Sequence, residues 1–156
     1  PVYIRLTGGT NNEIIYKNNY NFQIGKAIRL VSGEDIALVA TGTMVSKATN
    51  AAKELNEKSI FPSVYNFHTI KPIDEETIKY ISKKYKLIIT IEEHNVIGGL
   101  GSAVAEKLIQ YASSIKQVFM GIKDNYSVSG NYETILNKTG LTKNNIINKI
   151  MNNIQN

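Results

Sequence analysis

The sequence predicts a three-layer α/β domain: a mostly parallel sheet of about five strands, one antiparallel edge strand, and helices on both faces. Three observations carry this reading. From Ile36 onward, apolar runs of strand length alternate with stretches of helical period, an alternation that requires a parallel sheet with right-handed crossovers. Ile36-Ala37-Leu38-Val39-Ala40 is apolar without interruption, as a strand buried on both faces should be. And 156 residues with 42% apolar content suffice for one ordinary core without staples.

The elements follow in order. Pro1-Val2-Tyr3-Ile4-Arg5-Leu6 alternates like a strand, with no methionine before it, so residues 1–22 are expected to be a leading strand and linker from an upstream domain. The domain proper is placed at 23–156. Lys26 to Val31 is expected as a strand, closed by the turn cluster Ser32-Gly33-Glu34-Asp35 and paired antiparallel with Ile36–Ala40. Thr43 is positioned to cap a helix whose Met44, Ala48, Ala51, Ala52 and Leu55 share one face. Pro62 to Phe67 reads as a strand. Asp74 is expected to cap the next helix, with Glu75 and Glu76 against the positive end of its dipole and Ile78 and Ile81 inward. Leu87 to Ile91 is a further strand, followed by a helix through Leu100, Val104, Leu108 and Tyr111, and by a last strand from Gln117 to Ile122. Glu133 to Lys138 is a short helix with Gly140 as a left-handed terminator. Thr142 caps a final helix whose Ile146, Ile147, Ile150, Met151 and Ile154 form one stripe, read as core packing.

Composition excludes several functions. There is no cysteine, which removes disulfides, thiolate zinc sites and thiol nucleophiles. No apolar stretch approaches the ~20 residues of a membrane span and no leader pattern opens the chain, so a soluble, cytoplasmic protein without membrane partners is expected. The net charge of +5 comes from sixteen scattered lysines and two arginines, Arg5 and Arg29. Nucleic-acid binders usually concentrate arginine in a stripe, so no nucleic-acid partner is expected.

Ligands of open parallel sheets meet the carboxyl ends of the strands. Three such ends carry polar residues here: Thr41-Gly42-Thr43; Asn66, His68 and Thr69; and Glu92-Glu93-His94, followed by Gly98-Gly99-Leu100-Gly101-Ser102. Thr43, His68, Glu93, His94, Gly98 and Gly99 are therefore the candidates for an interface or an anion site. Counting from Gly99, the third position is Gly101 but the sixth is Val104, so the dinucleotide fingerprint fails. The glycines are read instead as permitting close backbone approach and exposing helix N–H groups. Glu92 and Glu93 are neighbours on a strand, point to opposite faces, and cannot share a proton as a dyad. His94 is expected either to pair with Glu93 as a structural ion pair or to stand at an interface with its imidazolium favoured by that charge. No catalytic triad elbow and no histidine pair at metal-ligand spacing occurs. No catalytic, cofactor-binding or metal residue is assigned.

Asp35-Ile36-Ala37-Leu38-Val39-Ala40-Thr41-Gly42, His68-Thr69-Ile70-Lys71-Pro72-Ile73-Asp74-Glu75-Glu76 and Glu92-Glu93-His94-Asn95-Val96-Ile97-Gly98-Gly99-Leu100-Gly101-Ser102-Ala103-Val104 together resemble the C-terminal domain of the transketolase family. Residues 124–130, Leu136 and Gly140-Leu141-Thr142 continue the match in order. The pattern is most similar to the C-terminal section of split bacterial transketolases. 1-Deoxyxylulose-5-phosphate synthases and the β-subunits of 2-oxoacid dehydrogenases share the domain. The opening segment resembles the end of a preceding pyrimidine-binding domain. The resemblance implies an enzyme that uses thiamine diphosphate and magnesium to move a two-carbon ketol unit between sugar phosphates, with the cofactor held by diphosphate-binding and pyrimidine-binding domains. Neither is present in this sequence, and it contains no Gly-Asp-Gly motif. The chain is thus expected to bind no cofactor and to be inactive alone, serving as a non-catalytic assembly domain of a homodimer. The competing expectation is a free-standing α/β module that binds an anionic small molecule at Thr43, His68 and Gly98-Gly99.

Overall fold

The structure, a computed structural model, describes residues 1–4, 13–16, 19–126 and 128–154. Its elements are β1 (Ile28–Val31), β2 (Ile36–Ala40), α1 (Met44–Asn56), β3 (Ser63–Asn66), α2 (Glu75–Lys84), β4 (Leu87–Asn95), α3 (Leu100–Gln110), β5 (Lys116–Ile122), α4 (Tyr132–Thr139) and α5 (Lys143–Ile154). The described strands form a five-stranded sheet in the order β1-β3-β2-β4-β5. All neighbours are parallel except β1, which runs antiparallel to β3. This is the predicted fold class.

Strand alternation divides the core in two. Leu38, Ala40, Val64, Ile89 and Ile91 face α1 and α5, meeting Met44, Ala48, Leu55, Ile146 and Ile150. Val39, Tyr65, Phe67 and Ile88 face α2 and α3, meeting Ile78, Ile81, Leu100, Val104 and Leu108. Burying each aliphatic side chain of this size contributes about 1.5–3 kcal/mol. Both faces of the sheet are covered by helices of this chain.

Two helix ends follow the sequence closely. The Asp74 carboxylate accepts from Thr77 N at 3.1 Å and opens α2, and Gly140 at φ 73° closes α4. Within α5, Ile146, Ile147 and Ile150 are buried, whereas Ile154 is exposed because the last turn runs beyond the core.

Three expectations need correction. The strand of Lys26–Val31 pairs with β3, not with β2. Its link to β2 is not a hairpin turn but a crossing over the start of β3: Glu34 N donates to Phe61 O at 2.6 Å and Gly33 N to Ser63 Oγ at 2.7 Å. A Cβ at Gly33 would collide with the Phe61–Pro62 backbone, so this crossing is open to glycine alone. Pairing β2 with β1 would also have cost β2 one of the two parallel neighbours that bury it. Second, Thr43, expected to cap α1, makes no side-chain capping bond; the expected leading strand falls partly on residues 5–12, outside the described residues, with Pro1–Ile4 exposed. Third, the strand expected to end at Ile91 continues to Asn95, carrying the two glutamates and His94 with it.

Candidate functional site: the carboxyl rim of the sheet

The chain leaves β2 for α1 on one face of the sheet and leaves β3 and β4 for α2 and α3 on the other. The end of β2 therefore opens between two loops that diverge from it, the position at which open α/β sheets present their ligand or partner surface. All the sequence-nominated residues fall on this rim, but they do not form a single cluster.

Thr43 and Glu93 are brought together. Thr43 Oγ1 donates to Glu93 Oε2, and Tyr132 OH donates to the same oxygen at 2.7 Å. The Thr43 side chain makes no capping bond, contrary to expectation; a carboxylate fifty positions away outcompetes its own helix, because a charged acceptor makes the stronger bond. The first turn of α1 is closed instead by Met44 N to Thr41 O and Val45 N to Gly42 O, both 3.2 Å. Tyr132 sits at the start of α4, so this carboxylate ties that helix to β4 and to the start of α1. Burial, followed by the nearby carboxylate, pushes the Tyr132 phenol above its ordinary range, opposed by its contact with Thr43.

Glu92 behaves in the opposite way. It is 1% exposed, points inward, and accepts from Leu100 N at 2.7 Å and Gly101 N at 2.9 Å. It fills the N-terminus of α3 with the chain's own anion. A Cβ on Gly99 would run into this carboxylate. The glycine-rich loop is therefore shaped around an internal cap. Gly98 N is engaged by Ser102 Oγ at 3.0 Å, and Ser102 Oγ donates to Val96 O at 2.9 Å.

The histidines stand apart, with β2 between the strands that carry them, roughly 9–10 Å of sheet at ~4.8 Å per strand. His94 is exposed and its Nδ1 lies 3.1 Å from Asn95 O. The Glu93 oxygen expected to meet it is turned to Thr43 and Tyr132, so neither the ion pair nor the tuned imidazolium finds support in the geometry. His68 is partly buried: its Nδ1 lies 2.8 Å from Thr69 Oγ1 and its ring packs on Phe22 with centroids 4.5 Å apart.

Sequence reasoning missed Glu92, Tyr132, Tyr16 and Phe22. Strand alternation signalled an inward Glu92, but its role depends on a loop that folds back over eight residues. Tyr132, Tyr16 and Phe22 act across distances that no local pattern encodes.

The geometry does not suit a diphosphate. The N-terminus of α3 is occupied by Glu92, and the neighbouring α1 N-terminus faces the Glu93 carboxylate. Among the described residues no group of three or more His, Asp or Glu side chains could hold a metal ion, and no helix is long and apolar enough to cross a membrane.

The sequence profile of the transketolase C-terminal domain matches residues 25–146. A protein of Methanocaldococcus jannaschii assigned as a transketolase C-terminal section is 40% identical over 153 residues, covering 97% of this chain and 47% of its own length. A 1-deoxy-D-xylulose-5-phosphate synthase of Caldanaerobacter subterraneus is 36% identical over 97% of this chain and 24% of its own length. Among solved structures, a split-gene transketolase described as an inactive β4 tetramer superposes with a TM-score of 0.83 at 34% identity, over 90% of this chain and 46% of that one. The chain thus spans about half the length, or less, of these relatives. It belongs to the transketolase C-terminal domain family.

Proposed function

We propose that this chain is the non-catalytic assembly domain of a thiamine-diphosphate-dependent enzyme that transfers a two-carbon ketol unit between sugar phosphates, with magnesium and cofactor held by other domains. Its carboxyl rim meets the diphosphate- and pyrimidine-binding domains or a second copy of the enzyme. The carrying observation is the contrast between the end of β4 and the loop that follows it: the N-terminus of α3 is closed by Glu92, while His94 and Ile97, the latter 68% exposed, are presented outward. A loop of that kind offers a surface and leaves no free backbone N–H cradle for phosphate.

Family membership and the split-gene relative support the reading. Anion binding by a free-standing module is less favoured, because the α1 and α3 N-termini on the rim face carboxylates. Titration calorimetry of this chain with thiamine diphosphate and magnesium tests the assignment. No heat of binding is expected, and saturable micromolar binding would overturn it.

A further inference from the structure

The end of β3 holds two polar atoms that the fold does not satisfy. Asn66 Oδ1 and His68 Nε2 are both buried and have no hydrogen-bond partner, and they are the two such side-chain atoms found among the described residues. Asn66 is the last residue of β3 and His68 follows two positions beyond it. Buried polar groups are paired in the great majority of cases, and an orphan calls for an explanation.

The segment before the domain lies against both residues. Tyr16 OH accepts from Asn66 Nδ2 at 2.6 Å, and the Phe22 ring covers the His68 imidazole. Tyr16 stacks on Tyr20 with centroids 3.8 Å apart, and Glu13 accepts from Asn50 Nδ2 at 2.8 Å on α1. The covering is shallow: Tyr20 is 48% exposed, Phe22 54% and Ile24 73%. Below it the chain is fixed, since Ala27 N donates to the buried Asp74 carboxylate at 2.8 Å. Gly25, at φ 80°, lies between the loose part and the fixed part, a backbone conformation that glycine adopts without strain.

We propose that residues 13–16 and 19–24 form a displaceable strap, hinged at Gly25, whose release uncovers Asn66 Oδ1 and His68 Nε2 as a hydrogen-bonding site on the rim. Closure sets Ile15 against the edge of the core but leaves Phe22 and Ile24 exposed and two polar groups unpaired; opening hydrates both or pairs them with a facing polar surface. The pair supplies an acceptor and an imidazole nitrogen whose partner role is set by the Thr69 hydroxyl on Nδ1. This deepens the assembly reading: the open form is the one that docks. The strap itself is tested without any partner.

The sequence contains two histidines, so the exposed His94 is an internal reference for His68. Diethyl pyrocarbonate modification of this chain, followed by peptide mass spectrometry, reads both. Native His68 is expected to react more slowly than His94 but far faster than global unfolding allows. Phe22→Ala, which removes an aromatic contact, should accelerate it roughly tenfold, and Tyr16→Phe by a few-fold, both with an unchanged thermal midpoint. The proposal is overturned if His68 reacts as fast as His94 in the native chain, if it reacts only at the global unfolding rate, or if neither variant alters its rate. It is equally overturned if Phe22→Ala lowers the midpoint in step with the faster reaction, because the segment would then be part of the fold.

Discussion

The ends of β4 and β3 reach the same rim and treat their polar groups in opposite ways. At the end of β4, Glu92 accepts two backbone N–H bonds from α3, and Glu93 accepts two hydroxyls from Thr43 and Tyr132. Each carboxylate is bonded into the molecule. At the end of β3, Asn66 and His68 each keep one buried polar atom without a partner. A satisfied network fixes one geometry, and an unsatisfied one leaves an alternative open. The difference separates the part of the rim that holds the fold from the part that is free to change.

Breaking the β4 side should produce the largest effect. Glu92→Ala removes a buried anion and leaves Leu100 N and Gly101 N without their acceptor. Charged hydrogen bonds of this kind contribute about 1.5–3 kcal/mol each, so a loss of about 3–5 kcal/mol in denaturant unfolding is expected. Glu92→Gln keeps one acceptor oxygen and should lose less. A Glu92→Ala chain that melts like the parent would mean that α3 does not depend on this cap.

A smaller effect sharpens the comparison from outside the rim. Glu75 links α2 to α3 through Lys107 at 2.8 Å and Tyr111 OH at 3.1 Å. The Lys107 contact, and then the Tyr111 hydroxyl, hold its carboxyl below the usual value of 4.5. A carboxyl depressed in the folded state adds stability above its unfolded value, and that stability is lost as pH falls below 4.5 through the folded value. Because the pair is exposed, the effect is small. Glu75→Gln should flatten the acid limb of thermal stability slightly, leaving neutral pH unchanged. An unaltered limb would show that the contact contributes nothing.

Much of the fold was legible because its determinants are local. The unbroken run Ile36–Ala40 announced a strand covered on both faces, and Asp74 followed by Glu75 and Glu76 announced the start of α2. The exclusion of a Glu92–Glu93 dyad needed only strand alternation. The partner of β1 was not legible, because it depends on Gly33 crossing over Phe61–Pro62. Thr43 was misread as a cap because its competing acceptor lies in β4. Of the rim, sequence nominated Thr43, Glu93, His68 and His94 but neither Tyr132 and Phe22 nor the grouping: Thr43 with Glu93, His68 under Phe22, and His94 alone.

His94→Ala in the full-length enzyme, followed by sedimentation velocity, tests the assembly claim most directly. His94 is exposed and bonds only its neighbour's carbonyl among the described contacts, so the account predicts weaker association, by roughly tenfold or more for a central contact of an interface. The isolated domain should keep its melting temperature. Association unchanged in the full-length variant, together with a domain destabilised by several kcal/mol, would make His94 a structural residue and contradict the claim.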